Sequence, residues 1–560
     1  MKITIGDFLL ERLKAAGIHE IIGVPGDFNL QFLDQIEHMT NIQFVGTRNE
    51  LNAAYAADGY ARMNGIAALT VTYGVGELSA INGIAGAYAE HIPIVSITGA
   101  PPLYAMREGW QTHHTMADGN FNNMRMAFSQ FTAAQAVITP ENAAHEIDRV
   151  IQTALQLQRP VYLQIPSDVS YLEIEISSDA TRPFSFGQSN PEQLAQAVKK
   201  ISQLFSQASQ PAALIDKDLD RYHANHELEK IIKQTGMPFA SLTTGKAILS
   251  EQNKHYQGLY NGKNSQSEVK KIIENADFLL TFNPRFIETN SGEYTQSLPP
   301  NTVNVHGNYV NVAGQRFEGV LMRDLLQQLT STLPLIYKRT PRAIVSQPAE
   351  FVSRNGVPLT QKRLWQQVAS LFKPHDVILA EAGTANIGLS SLRFPADVKI
   401  ISSNIWGAIG YTLPALFGSL LASPNRRQIL FIGDGSFQLT AQELSTILEG
   451  KLKPIIFLLN NGGYTIERYI RGAQAKYNDI VPWDYQVLPK AFAPDSNVLV
   501  LDVRTEDQLA AALKKISSSN TAVFIELHLE ALDAPQGLKQ FGVEAAQFDY
   551  GQPNSDKNVE

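Results

Sequence analysis

An α/β fold of three doubly wound parallel-sheet domains is what this sequence predicts. Short apolar runs alternate with helically spaced apolar residues along most of its length. Two stretches interrupt the pattern, 173–190, rich in Ser, Thr, Pro and Gly, and 337–357, with Pro341 and Pro348. At 560 residues and 44% hydrophobic content, each of the three pieces so divided can bury a core of its own. The expected domains are 1–180, 190–340 and 358–560.

In the first piece, MKITIGDFLLERLK reads as an amphipathic helix capped by Asp7 and ending near Gly17. Its charges at Asp7, Glu11 and Arg12 set it apart from a signal peptide. Strands follow at Ile21–Val24 and Gln43–Val45, then a helix opened by Glu50 (ELNAAYAADGYARM) and a strand at Ala67–Thr72. Gly74-Val75-Gly76 reads as a loop, Leu78–Tyr88 as a helix and Ile94–Thr98 as a strand. GVGELS at Gly74–Ser79 partly imitates a dinucleotide fingerprint. Ser79 replaces the third glycine and no acid follows about 20 residues on, so a nicotinamide site is not expected here.

The second piece has strands at Ala212–Ile215, Pro238–Leu242, Phe278–Phe282 and Val303–His306, with no glycine-rich phosphate loop. The third is organised around Ile429–Glu467. Ile429–Ile432 and Ile455–Leu459 read as buried strands. Between them Gly433-Asp434-Gly435-Ser436 turns sharply, and Leu439, Leu444, Ile447 and Leu448 share one face of a helix stopped by Gly450. Such crossovers make parallel strands, so Asp434 and Asn461 stand just past the carboxyl ends of two of them, where open α/β sheets bind ligands. The tail GQPNSDKNVE reads as disordered.

A net charge of −8 and a pI near 5.9 give no support for a nucleic-acid or acidic-membrane partner. The absence of Cys excludes disulfides, iron–sulfur clusters and thiolate zinc sites. The longest uncharged stretch, Gly407–Ala422, is 16 residues and is broken by Gly410 and Pro414, too short for a good membrane span. A cytoplasmic location is the expectation.

Asp434 offers carboxylate oxygen and Asn461 amide oxygen, with no Cys or His among them, which suits Mg²⁺ or Ca²⁺ better than zinc. Mg²⁺ commonly completes its shell with phosphate oxygens and water, and the glycines let backbone N–H groups approach a phosphate. GDG alone reads more readily as a tight turn in a core βαβ unit. Followed by NNGGY, with Asn461 27 positions beyond Asp434, it points to a metal-bridged diphosphate.

GDG followed at this distance by NN resembles the thiamine diphosphate motif. The GYTIE continuation is similar to the 2-oxo acid decarboxylases, the group that includes pyruvate, indolepyruvate and branched-chain 2-oxo acid decarboxylases. The resemblance runs from about Ile3 to about Phe541. It implies non-oxidative decarboxylation of a 2-oxo acid to an aldehyde and CO₂, through the ylide of thiamine diphosphate and an enamine. By it, Asp434, Asn461 and the carbonyl of Gly463 would hold Mg²⁺. Thr384 in EAGTANIG, with Gly435 and Ser436, would contact the diphosphate.

Glu50 alone reads as a capping or surface residue, but GTRNELNAAYAADGYAR matches the family stretch whose glutamate bonds N1′ of the cofactor's pyrimidine. WGAIGYTLPA matches the stretch in which Ile409, otherwise a core residue, would support the bent cofactor and the carbonyl of Gly407 would accept its 4′-amino group. HHT at His113-His114 and GVPGD at Asp27 match the decarboxylase pattern. With Glu467 they would handle the protons that follow loss of CO₂. The histidine pair favours decarboxylation over carbon–carbon ligation of the acetolactate synthase type.

The resemblance further places Ala382, Asn386, Ile466, Ile470, Phe541 and Ala545 around the substrate. Small residues at 386 and 545 imply a preference for branched, aromatic or long-chain 2-oxo acids, with pyruvate decarboxylase proper, a carboligase and an inactive scaffold as the alternatives. The middle domain would be structural or regulatory, and the cysteine-based activator site of yeast-type members cannot exist here. Block one of one chain would face block three of another, making a homodimer the minimal unit and a dimer of dimers, a homotetramer, the usual assembly.

Overall fold

A computed structural model describes residues 2–177, 182–333 and 351–550. Three α/β domains are present, each built on its own sheet. The first sheet comprises Glu20–Gly23, Gln43–Gly46, Ala67–Thr72, Ile94–Ala100, Gln135–Val137 and Val161–Pro166. Numbered in chain order, its strands run 2-1-3-4-6-5, all parallel. The third sheet comprises Val377–Ala380, Lys399–Ile401, Gln428–Gly433, Ile455–Asn460, Val498–Val503 and Ala522–His528. It repeats the order 2-1-3-4-6-5, again all parallel. The central strands, such as Ala67–Thr72, Ile94–Ala100 and Ile455–Asn460, are apolar runs buried on both faces, the pattern that parallel sheets covered by helices require, while the edge strands are partly exposed.

The middle sheet departs from the expected all-parallel form. Its strands are Pro211–Ile215, Phe239–Ser241, Tyr256–Leu259, Phe278–Thr281, Thr302–Val305, Tyr309–Val312 and Gln315–Glu318, in the order 3-2-1-4-5-6-7. The last two are antiparallel additions. The reason is local: Ala313 and Gly314 both take positive φ (46° and 80°), which makes a two-residue hairpin loop.

The first and third domains share one core. Helix Glu50–Asn64 crosses helix Thr412–Ala422 at backbone contact. A Cβ on Gly59 would lie 2.0 Å from the carbonyl oxygen of Ala415, and one on Gly418 would lie 1.8 Å from that of Ala56. Glycine at both positions is what allows the approach. Arg48 and Asn52 extend the junction, donating to Glu443 at 3.3 Å and 2.8 Å.

Several local expectations change. Lys2–Thr4 is a strand paired antiparallel with Glu173–Glu175, so the interruption expected from 173 begins later. The first helix is Ile5–Ala15, capped by Thr4, whose Oγ1 accepts from the Asp7 N–H at 3.2 Å; Asp7 lies inside the first turn. The helix expected from Leu78 starts at Val75, because Glu77 reaches back to accept from the Gly74 N–H at 2.8 Å. A helix likewise begins at Asp434 in place of a turn, and breaks at Ala441-Gln442 into Asp434–Thr440 and Glu443–Glu449. Leu439 is 49% exposed, off the buried face expected for it. Of the second interruption, 337–350 lies outside the described residues, as does the tail 551–560. Its end is pinned: Arg354 pairs with Glu506, and Gly356 donates to Asp507 at 2.8 Å.

Candidate active site

Asp434 and Asn461 stand at the ends of neighbouring parallel strands, Gln428–Gly433 and Ile455–Asn460. The Asp434 carboxylate is 1% exposed. It accepts from the backbone N–H groups of Gly435 (2.8 Å), Gly462 (2.7 Å) and Asn461 (3.1 Å). Burial pushes its pKa up to about 6, against the pull of those N–H groups. The loop needs its glycines: Gly462 and Gly463 take φ of 70° and 140°, and a Cβ on Gly463 would lie 2.1 Å from the carbonyl oxygen of Asn478.

Whether this loop suits a cation turns on the Asn461 amide. Thr465 Oγ1 lies 2.8 Å from the carbonyl of Ala531, to which it can give its one hydroxyl proton. Toward Asn461, 2.9 Å away, it can then only accept, which puts the amide nitrogen on that side and the amide oxygen inward. That oxygen lies 2.9 Å from Gly463 O and 3.2 Å from Asp434 Oδ1, with no proton among the three. Mg²⁺ in an octahedron of oxygens at 2.0–2.1 Å sets neighbouring oxygens about 2.9 Å apart. Asp434, Asn461 and Gly463 therefore fit the hard divalent cation that the resemblance assigns to them.

The proposed diphosphate contacts flank this loop. Gly435 and Ser436 form the first turn of helix Asp434–Thr440, and Thr384 opens helix Thr384–Ser390, with N–H groups facing outward at both starts. Tyr464 closes over Gly435, where a Cβ would meet its ring at 2.6 Å. Gly407 takes φ 68°, and Ile409 is 39% exposed, which removes the reading of Ile409 as core. The loop carrying both leans on the first domain: Ile405 donates to Glu90 at 2.7 Å, and Trp406 Nε1 donates to Asn82 at 2.9 Å.

Glu50 is the first residue of its helix, behind Asn49, whose side chain accepts from the Asn52 N–H at 2.8 Å. The cap is thus Asn49, and the Glu50 carboxylate makes no hydrogen bond or ion pair among the described residues. Its Oε1 lies 3.3 Å from where a Cβ on Gly76 would stand, so glycine at 76 keeps space open beside it.

Asp27, His113 and His114 come together. His113 Nε2 donates to Asp27 Oδ2 at 2.7 Å, and His114 Nδ1 lies 3.7 Å from Asp27 Oδ1. Neighbours in a strand would point apart. Here the doublet lies in a loop, His114 takes φ 61°, and the two rings stand 4.5 Å apart beside Phe28. The carbonyl of His114 passes so close to Gly74 that a Cβ there would be 1.9 Å from it. Glu467, on helix Thr465–Ile470, makes no hydrogen bond or ion pair with this trio among the described residues. Partial burial, then the charge of Asp549, hold its carboxyl above the ordinary value.

Of the expected pocket residues, Ile466 and Phe541 pack into one apolar cluster with Tyr469, Ala534 and Leu538. Ile387 joins them and was not anticipated, although it follows Asn386 directly. Ala545 is buried on the same C-terminal helix, Gln536–Tyr550. Asn386 donates to Asn404 at 2.7 Å, and the N–H of Ala382 donates to Glu381 at 3.1 Å. Ile470 ends its helix, half-buried. Thr465 and Gly76 are further residues that motif reading passed over. Thr465 stood inside the quoted GYTIE, where its hydroxyl one turn from Asn461 was the available signal.

Three family models match the chain. The thiamine pyrophosphate enzyme N-terminal TPP binding domain covers residues 3–124, the central domain 198–326 and the C-terminal TPP binding domain 381–527. Pyruvate decarboxylase isozyme 3 of Saccharomyces cerevisiae is 38% identical over 559 residues, covering 97% of this chain and 99% of its own. An alpha-keto-acid decarboxylase of Mycobacterium tuberculosis is 40% identical over 547 residues, 96% of each chain. One from Mycolicibacterium paratuberculosis is 39% identical over 540 residues, 96% of this chain and 95% of its own.

Proposed function

Because this chain belongs to the thiamine diphosphate-dependent 2-oxo acid decarboxylases, carboxy-lyases that work with thiamine diphosphate and Mg²⁺, we propose that it releases aldehydes from branched, aromatic or long-chain 2-oxo acids in preference to pyruvate. The observation that carries the preference is the apolar cluster of Ile387, Ile466 and Phe541; Ala545, four residues beyond Phe541 on the same helix, brings only a methyl group. The side chain of Asn386 is tied to Asn404. The relatives named for alpha-keto acids support the broader reading, and the yeast relative supports pyruvate.

Bound thiamine diphosphate supplies a nucleophilic carbon and an electron sink for the electrons left when CO₂ departs. Asp434, Asn461 and Gly463 would hold the Mg²⁺, and Thr384, Gly435 and Ser436 would hold the diphosphate. Glu50, with its carboxylate free of internal partners, would take a hydrogen bond from a pyrimidine nitrogen and keep a proton there. Ile409, exposed in its loop, would support the cofactor from below, and the Gly407 carbonyl would orient its amino group. Asp27 holds His113 by a hydrogen bond and stands near His114, and this trio would deliver a proton to carbon without a single assigned donor. Glu467, held toward its neutral form, would act beside them. By the family resemblance, Glu50 of one chain would meet the Asp434–Asn461 loop of another across a homodimer, itself able to pair again.

A coupled aldehyde assay with thiamine diphosphate and Mg²⁺ across a 2-oxo acid panel tests this. The branched, aromatic and long-chain acids should give the higher kcat/KM. Pyruvate preferred by about tenfold, roughly 1.4 kcal/mol of transition-state binding, would overturn the preference. A 2-hydroxyketone in place of aldehyde would make the enzyme a carboligase.

A further inference from the structure

Thr465 has one hydroxyl proton and two acceptors within reach. Ala531 O is 2.8 Å away and the Asn461 amide 2.9 Å away. We propose that Thr465 is a positioning residue for the cation: by donating to Ala531 it obliges Asn461 to present oxygen inward, and cation binding thereby fastens the segment that leads into the C-terminal helix. The proposal rests on the cation site described above.

The Asn461 amide has two arrangements, each with its own uncompensated oxygen. In one, its nitrogen donates to Thr465, Thr465 donates to Ala531, and the amide oxygen faces Gly463 O at 2.9 Å and Asp434 Oδ1 at 3.2 Å. Three oxygens then converge on one point, which only a cation compensates. In the other, the amide is turned over. Its nitrogen donates to Gly463 O and Asp434 Oδ1, and its oxygen needs the Thr465 proton. Ala531 O then loses its donor. The cation selects the first arrangement and its removal selects the second, so a single proton is passed between Asn461 and Ala531 according to whether the metal is bound.

Ala531 lies between strand Ala522–His528 and helix Gln536–Tyr550. Other bonds also hold this segment: Leu529 N–H donates to Asn460 O at 2.9 Å, Tyr469 OH donates to Leu532 O at 2.6 Å, and Gln361 N–H donates to Asp533 at 2.5 Å. The Thr465 bond, on Ala531 between Leu529 and Leu532, is the one that answers to the metal. Thr465 is 3% exposed, so water does not replace it freely. The helix so anchored carries Phe541 and Ala545 of the proposed pocket.

The test compares the full-length wild type with Thr465→Ser, Thr465→Val and Thr465→Ala. Mg²⁺ is titrated calorimetrically in saturating thiamine diphosphate, and hydrogen exchange of peptides covering 529–550 is followed with and without Mg²⁺. Val and Ala should weaken Mg²⁺ by about 10- to 100-fold, and Ser by no more than about threefold. Mg²⁺ should slow exchange over 529–550 in the wild type and the Ser variant, and leave it unchanged in the Val and Ala variants. Ala serves where Val does not fold. A wild type that binds no Mg²⁺ overturns the cation site itself. A wild type that binds it, with Val or Ala variants of equal affinity, overturns the role of Thr465. Weakened binding with Mg²⁺-dependent protection retained overturns the coupling to the C-terminal segment.

Discussion

Gly418 lies on the carbonyl of Ala56, so close that a methyl group there would stand 1.8 Å from the oxygen. Since the oxygen is backbone in the middle of helix Glu50–Asn64, neither partner can move aside cheaply. Gly418→Ala should cost about 1–3 kcal/mol or more, read as a lower denaturation midpoint. An unchanged midpoint would mean the two helices do not cross as described.

Glu50→Gln should separate chemistry from folding. The carboxylate has no internal partner to lose, so stability should stay within about 0.5 kcal/mol of wild type. Decarboxylation should fall by about 10²- to 10⁴-fold, the range for losing a positioned proton-handling group. Near-normal kcat in this variant would show that Glu50 does not serve the cofactor.

Asp27→Asn leaves His113 without its charged acceptor. We expect kcat to drop by about 10²-fold, with thiamine diphosphate affinity little changed, because Asp27 lies apart from the cation loop. Calorimetric cofactor binding beside steady-state rates checks both halves.

Glu77 sets a pH dependence of stability. Its carboxyl is fully buried, accepting from Gly74 N–H and Tyr162 OH, both at 2.8 Å. Burial pushes its pKa from 4.5 up to about 7. Between these values the folded chain keeps a proton that the unfolded chain has released, so stability falls as pH rises through that window. The loss is on the order of 3 kcal/mol once pH passes 7. Glu77→Gln should flatten melting temperature against pH from 5 to 8. Glu381, pushed by burial to about 7 as well, leaves part of the slope in place. A slope identical to wild type would exclude Glu77 as its source.

Chelation should destabilise the holoprotein. At a cofactor and metal concentration about 100 times Kd, binding to the folded chain alone adds about 2.7 kcal/mol. Excess chelator should lower the melting temperature correspondingly, and Mg²⁺ should restore it. Asp434→Ala should show neither change.

The strands around the site were legible because each is an unbroken apolar run, as at Ala67–Thr72 and Ile455–Leu459. The helix starts at Val75 and Asp434 were not, since glycines lie beside them and the stabilising contacts, such as Glu77 on Gly74, depend on geometry rather than composition. The pairing of Lys2–Thr4 with Glu173–Glu175 brings together residues far apart in the chain, and no local pattern announces it. Within the site, the sequence spacing of Asp434 and Asn461 pointed to neighbouring strand ends, which is where both residues lie. The convergence of His113 and His114 on Asp27 could not be foretold, because it depends on a left-handed backbone at His114, which histidine rarely adopts. The orientation of the Asn461 amide was equally hidden, being decided by where Thr465 sends one proton.

The shared strand order of the outer domains has a consequence for the GVG stretch that mimics a dinucleotide site. Gly74-Val75-Gly76 follows the third strand of its sheet and opens a helix, and Gly433-Asp434-Gly435 does the same in the other. The two are counterparts in a repeated architecture. One copy carries an acid, Asp434, which we propose as a cation ligand; the other carries Val75, and its second glycine leaves room for Glu50. The same strand-to-helix corner is thus built around a carboxylate of its own in one domain and hollowed out beside a neighbour's in the other.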